Sequence, residues 1–482
     1  MQTTGNLVDG RIVGTDAAET IDVHNPADLG TVVGRVPAMS AQEITEVFDA
    51  AERGARSWAG TNRISRGEVL KRAAAQLRAE SDSLAPLIVR EMGKTSAEAR
   101  VEVTKAADFF DFYAGLARQP YGELVADGRP DTHARVIHEP LGVVLLITPW
   151  NDPLLTPARK LGPALISGNA VVIKPATVTP LIVLELARIL HESGLPAGAL
   201  GTVTGRGRDI GDALLAHHAL KAVSFTGSTA VGLDLQRSLA GRQVRVQTEM
   251  GGKNAVAVLA DADLELAAQQ ITTGAFAQAG QRCTATSRVV VVREVAAHLI
   301  ASIRRKMSEL RVGAGDAKDV DLGPVVSASA RDDILAHIRR AIDESAEVLE
   351  GSADAPEGDL ARGAFVTPTL LQVTQDQSIW RDEVFGPVLG ILVVEDEAEA
   401  VAAVNDSAYG LSSAVFTNDL GAAERFIAAT DTGQVSVNHP TTGWDVHHPF
   451  GGFGDSGSPF KEQGNDALQF YTRTKTVAVR AL

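Results

Sequence analysis

An α/β protein built around a doubly wound parallel sheet is the fold class this sequence predicts, and three observations carry it. From residue 141 onward short apolar runs alternate with amphipathic helical stretches, the alternation that builds parallel sheets covered on both faces. Glycine-rich turns stand where such runs give way to helices, at 205–211 and 225–232. The chain of 482 residues is too long for one core, so it divides into two or three units.

The region 40–118 reads as mostly helical. Ser40 and Glu43 stand at capping-box spacing, and Ile44, Val47, Phe48 and Ala51 then recur along one face. A further helix over 65–80 gathers Val69, Leu70, Ala73, Ala74 and Leu77. The run 141–147 is continuously apolar, as a strand buried on both faces must be, and a helix over 153–167 follows, ended by Gly168. After a strand over 170–173, Thr179 is expected to cap a helix with Pro180 in its first turn and Gly194 past its end. Strands near 201–204, 221–225 and 244–248 continue the pattern. Beyond 252 it repeats, with a strand over 255–259, a helix over 263–278 and a strand over 287–292. The stretches 314–324 and 351–363 read as loops.

Charge and composition narrow the function. Acidic residues exceed basic ones, 60 to 45, for a net charge of −15, which argues against a nucleic-acid backbone as partner. No apolar run approaches the ~18 residues of a membrane helix, and the first residues carry no secretory pattern. With a single cysteine, this places the chain in a reducing interior, the cytoplasm.

That cysteine, Cys283, sits in Gly280-Gln281-Arg282-Cys283-Thr284 between a predicted helix and strand. Free cysteine is usually a small buried hydrophobe; the polar neighbours and the positive Arg282, which would favour a thiolate, weaken that reading, and partners elsewhere in the chain must decide between filler and nucleophile. Gly205, Gly207 and Gly211 follow one strand, and Phe225-Thr226-Gly227-Ser228-Thr229-Ala230-Val231-Gly232 follows another. Either turn alone is only a capped helix start, yet together with Lys174 at a strand end they outline a nucleotide site along the carboxyl ends of the strands. Glu249, also at a strand end, is either a solvated charge or cap, or a general base if an apolar site raises its pKa. Asn151, after the 143–147 strand, offers an amide donor for a developing oxyanion or for a simple turn. No His or Glu spacing argues for a metal.

Seven motifs in order resemble the aldehyde dehydrogenase superfamily: Thr-Pro-Trp-Asn at 148–151, Ile-Lys-Pro at 173–175, Phe-Thr-Gly-Ser at 225–228, Glu-Met-Gly-Gly-Lys at 249–253, Gly-Gln-Arg-Cys at 280–283, Glu-Val-Phe-Gly-Pro at 383–387 and Pro-Phe-Gly-Gly at 449–452. The resemblance implies oxidation of an aldehyde to its acid with NAD or NADP. It makes Cys283 the nucleophile, Asn151 and the Cys283 amide the oxyanion donors, Glu249 the base that activates water, and Lys160 a neighbour of the centre with a proton-relay role. It assigns Ile147, Thr148, Trp150, Lys174, Thr177, Gly207, Gly211, Phe225, Gly227, Ser228, Val231, Glu383 and Phe385 to the cofactor site. It further implies a Rossmann-type cofactor domain over 1–120 and 141–251, an α/β catalytic domain over 252–450, and a small β oligomerisation arm over 121–140 and 466–482. Such a chain would form a tetramer or dimer.

Departures from the family pattern bear on specificity. Thr177 stands where NAD-preferring members often have glutamate, so NADP is expected to be tolerated, with Lys174 and Arg206 or Arg208 near its phosphate. Asp152 brings a charge to a position that is often aromatic. Arg159 either grips a substrate carboxylate or pairs with Asp152, two helical turns earlier. The segment 458–464 also departs, and is expected to affect the arm and not the chemistry. Trp444, with His447 and His448, is expected at the pocket rim. The substrate is then a semialdehyde or an aromatic aldehyde. Competing readings are a CoA-acylating relative, which retention of Glu249 argues against, and a non-catalytic binding or structural protein on the same scaffold.

Overall fold

The computed structural model describes residues 3–480, so positions 1, 2, 481 and 482 of the expected cofactor domain and arm lie outside the described residues. Helix formation near the N-terminus follows the local chemistry. Ser40 and Glu43 form the reciprocal capping box that opens the helix Ala41–Gly60, and the helix Arg63–Ala79 covers the second predicted span. A second capping box, Thr95 with Glu98, starts the helix Ser96–Gly115. The helix Leu181–Glu192 departs from expectation, because Thr179 does not cap it. The carboxylate of buried Glu91, from the preceding helical layer, accepts from the amides of Leu181 and Ile182 at 2.5 and 3.1 Å. A carboxylate at a helix N-terminus satisfies two orphan donors and meets the positive end of the dipole; a threonine hydroxyl offers less.

The alternating region closes into a five-stranded, all-parallel sheet. Its spatial order is Arg245–Glu249, Leu220–Thr226, Val143–Ile147, Ala170–Lys174 and Leu200–Thr202. Val144, Leu145, Val171 and Val172 are wholly buried, each side chain contributing roughly 1.5–3 kcal/mol. Chain order reverses between Val143–Ile147 and Leu220–Thr226, and at such a switch point a crevice opens beyond the strand ends.

A second sheet of seven strands holds the rest of the alternation. Its order is Glu347–Glu350, Thr369–Gln372, Val388–Val394, Arg288–Val292, Ala255–Val258, Ser412–Phe416 and Gln434–Val437, parallel except for the first pair. A third, antiparallel sheet pairs Thr472–Arg480 with Thr132–Pro140, and that strand with Glu123–Val125. Among the described residues no helix is long and apolar enough to cross a membrane.

Candidate active site

One cavity of about 640 Å³ runs from the switch point of the five-stranded sheet to Cys283. Its walls hold Ile147, Thr148, Trp150, Phe225, Gly227, Ser228 and Val231 at the strand ends, Glu383 and Phe385 from the second sheet's side, and Asn151, Asp152, Arg159 and Trp444 around the thiol. Fourteen of the twenty site residues expected from sequence thus share one space, Cys283 included. Six lie outside its lining: Glu249, Lys160, Lys174, Thr177, Gly207 and Gly211. The Lys174 ammonium donates to its neighbour's carbonyl at 3.0 Å and burial lowers its pKa to about 8. The Thr177 hydroxyl donates to the Gly205 carbonyl at 3.2 Å, tying two strand ends together. His447 and His448 are exposed and outside the lining.

The loop that carries the thiol is strained on purpose. Gln278, Ala279 and Gly280 have φ of 54°, 55° and 70°, three consecutive left-handed residues of which only the glycine is at ease. This turn ends the helix Leu264–Phe276 and throws Cys283 into the cavity. A Cβ on Gly280 would stand 2.2 Å from the Gly386 carbonyl oxygen, so the thiol loop and the Phe385 segment pack backbone to backbone. Side-chain amides hold the turn. Asn254 donates to the Cys283 and Ala285 carbonyls at 2.8 and 2.9 Å, Gln281 accepts from the Val326 amide at 2.9 Å, and Asn151 donates to the Gln281 carbonyl at 2.9 Å. One hydrogen of the Asn151 amide remains for a ligand.

Two buried charge clusters flank the thiol. On one side Lys94 bridges Glu102 and Asp152 at 2.5 and 2.9 Å, and the second Glu102 oxygen accepts from the Leu154 and Leu155 amides. On the other, Glu462 contacts Arg159 at 2.7 Å, pairs with Lys160 and accepts from the Thr226 hydroxyl at 3.0 Å. The expected Arg159–Asp152 pair is therefore absent. The helix begins at Leu155, so Asp152 lies before its first turn and the two-turn spacing does not apply. The expectation that 458–464 matters only to the arm also fails, since wholly buried Glu462 reaches the centre.

Electrostatics follow from this packing. Burial pushes the Cys283 thiol up to about 12; Arg159 opposes this, while Asp152, Glu249 and Glu383 add to it. The cation that favours thiolate is thus Arg159, whereas Arg282 turns its Nε to Gln278 Oε1 at 2.7 Å. Burial, then the charge of Glu462, raises Glu249 well above the usual carboxylate range, with Lys160, Arg159 and Lys461 opposing. Both Glu249 oxygens are buried without a hydrogen-bond partner, and a Cβ on Gly451 would stand 2.6 Å from one of them. Burial raises Glu383 to about 7 although it accepts from the Gly252 amide at 2.9 Å. Gly251 makes that approach feasible, since a Cβ there would stand 2.0 Å from the Glu383 carboxylate.

At the strand-end wall, the buried Thr148 hydroxyl has no partner and Ser228 makes no side-chain cap, leaving polar groups free beside an apolar floor. Trp150 and Phe385 meet edge to face at 5.3 Å, with Phe385 held at φ 54°. These groups suit a dinucleotide laid over the switch point. Sequence reasoning missed Glu462, Gln278, Lys94 and Glu102. Their roles arise from contacts made by residues far apart in the chain, for which periodicity carries no signal.

Comparison with known proteins agrees with this geometry. The aldehyde dehydrogenase family profile matches residues 12–477. The chain is 37% identical over 481 residues to the 2,5-dioxopentanoate dehydrogenase of Saccharolobus solfataricus, covering 99% of both. It is 36% identical to the alpha-ketoglutaric semialdehyde dehydrogenase of Bacillus subtilis, covering 98% of both. Its fold superposes on betaine aldehyde dehydrogenase of Staphylococcus aureus, solved in complex with NAD+, with TM-score 0.96 at 31% identity over 99% of this chain and 95% of that one. Full-length matches in sequence and fold, around a cavity of about 640 Å³ that the thiol lines, establish that this chain belongs to the aldehyde dehydrogenase family and is an NAD(P)-dependent oxidoreductase that converts an aldehyde to its acid.

Proposed function

We propose that the chain oxidises a small carboxylate-bearing aldehyde, a semialdehyde, with Cys283 as nucleophile and Glu249 as base. The observation that carries this reading is the continuous cavity joining Cys283 to the strand ends at Ile147 and Phe225. The substrate class is supported by relatives that act on 2,5-dioxopentanoate and alpha-ketoglutaric semialdehyde.

The Cys283 thiol gives its proton to solvent and its sulfur attacks the aldehyde carbon, the carbonyl π bond opening to an oxyanion as the C–S bond forms. Arg159 favours the charged sulfur, and the free Asn151 amide hydrogen with the Cys283 N–H receives the oxyanion. Trp150, Ser228, Glu383 and Phe385 would hold NAD(P)+, which would supply the acceptor for the hydride that leaves the former aldehyde carbon as its carbonyl re-forms. Cys283 then carries a thioester, a good acyl donor. Glu249, with a raised pKa, takes a proton from water that attacks this thioester and restores the thiol. Its carboxylate lies behind the lining, so it turns toward Cys283 to do so. Lys160 and Glu462 adjoin it and suit passage of that proton onward.

Trp150, Ser228, Val231, Glu383 and Phe385 hold the cofactor in this reading. Thr177 carries no charge to repel a 2′-phosphate, so NAD or NADP serves. Residues 1–120 and 141–251 form the cofactor domain, 252–450 the catalytic domain and 121–140 with 466–482 an arm. Leu124, 89% exposed on the arm sheet, suits assembly into a dimer or tetramer. The single cysteine suits the cytoplasm.

Cys283→Ser tests the assignment. Aldehyde-dependent NAD(P)H formation should fall by at least about a thousandfold while NADH binding, read by fluorescence, persists. Turnover near that of the wild type would refute it.

A further inference from the structure

Three basic side chains line the cavity: Lys105, Arg159 and Arg282. Two are already spent on acids. Lys105 pairs with Asp445 at 3.3 Å, and Arg159 contacts Glu462 at 2.7 Å with its guanidinium over the Phe450 ring at 4.8 Å. No carboxylate of the described residues lies within 4.0 Å of the Arg282 nitrogens.

What Arg282 does have is an aiming device. Its Nε donates to Gln278 Oε1 at 2.7 Å, and Gln278 Nε2 donates to Asp152 Oδ1 at 3.0 Å. Asp152 is ionised beside Lys94 and only accepts, so the amide of Gln278 must turn its nitrogen to Asp152 and its oxygen to Arg282. The Gln278 backbone is pinned too, in the left-handed turn, with its N–H on Glu98 Oε1 at 2.7 Å. The other oxygen of Glu98 accepts from the Thr95 amide at 2.9 Å, so this acid is also occupied by the chain. Holding Nε leaves both terminal nitrogens of the Arg282 guanidinium for a planar, two-oxygen ligand.

We propose that Arg282, aimed by Gln278, is the specificity-determining residue that grips the distal carboxylate of an ω-oxo acid while Cys283 attacks its aldehyde end. This rests on the semialdehyde reading above, and assigns the recognition to Arg282 in place of Arg159. Arg159 serves the thiol and Glu462; Arg282 serves the substrate. Gln278 is a positioning residue that acts only through Arg282.

The test is the ratio of kcat/KM for 5-oxopentanoate to that for pentanal, two aldehydes of equal length that differ by the carboxylate. Arg282→Met should lower this ratio about 10–100-fold, chiefly through KM for the oxo acid, and Arg282→Lys should lower it less. Glutarate, which lacks the aldehyde, should inhibit pentanal oxidation by the wild type and about tenfold less well in Arg282→Met, a reading independent of the chemical step. Gln278→Leu should lower the ratio several-fold alone and not at all on top of Arg282→Met. An unchanged ratio and unchanged glutarate inhibition in Arg282→Met, or a ratio that collapses in Arg159→Met or Lys105→Met instead, overturns the assignment. A wild type with no preference for the oxo acid overturns the semialdehyde reading itself, and is distinguished by appearing before any substitution is made.

Discussion

The two charge clusters beside Cys283 are alike in composition and opposite in condition. Around Lys94 nearly every polar atom is used: Glu102 meets one ammonium and two backbone amides, and Asp152 meets Lys94 and Gln278. Around Glu462 atoms are left over: both oxygens of Glu249 lack a hydrogen-bond partner, although Glu462 Oε2 and Arg159 Nε meet each other as an ion pair at 2.7 Å. A satisfied buried network is rigid, whereas an under-satisfied one is costly to keep and free to exchange protons. The first cluster builds the frame that sets the thiol loop and the start of the Leu155–Ile166 helix; in the mechanism proposed above, the second supplies the groups whose charge changes during turnover.

That contrast can be broken by experiment, beginning with the largest effect. Glu249→Gln should leave the melting temperature nearly unchanged and cut steady-state turnover by about a thousandfold, with an initial burst of NAD(P)H because acylation of Cys283 precedes the step that needs the base. Loss of the burst along with turnover would move Glu249 to an earlier step. Next comes the thiol. With its pKa pushed up to about 12 by burial, each unit of rising pH below that value multiplies the thiolate about tenfold. Iodoacetamide labelling of this one cysteine in the cofactor-free protein should therefore keep accelerating from about pH 7 to 10. A plateau near pH 8.5, as for an ordinary thiol, would show that Arg159 outweighs burial.

Lys94→Met attacks the satisfied cluster. It leaves the buried Glu102 carboxylate without its cation and should cost about 3–5 kcal/mol of stability, read as a lowered melting temperature; a wild-type melting curve would contradict the frame role. The smallest effect belongs to Glu462→Gln. The negative charge of Glu462 helps hold Glu249 high, so removing it lets Lys160 and Arg159 favour the Glu249 carboxylate. Glu249 then ionises at lower pH, and the acid limb of the kcat profile should move down by about one unit. Movement in the other direction would mean that Glu462 acts mainly by positioning Lys160.

Local signals in the chain were read well because their physics is local. The Ser40–Glu43 capping box lies within one turn of backbone, and the strands at Val143–Ile147 and Arg288–Val292 announce themselves as apolar runs because both faces are buried. The Thr179 cap failed for the converse reason: the better acceptor, Glu91, comes from 90 residues away. The Arg159–Asp152 alternative failed likewise, because the acid that Arg159 meets is Glu462 from near the C-terminus and not Asp152 from the adjacent loop.

By itself the sequence determined the α/β alternation and the family through seven ordered motifs, and it nominated Cys283, Glu249 and Asn151 for the chemistry proposed above, since that chemistry demands particular residue types at strand ends and turns. Only the tertiary structure decided which charges meet. It joined Lys94 to Asp152, Glu462 to Arg159 and Lys160, and Gln278 to Arg282. A buried charge takes whichever partner the packing brings within about 4 Å, and that partner is set by how whole layers stack, which no spacing along the chain records.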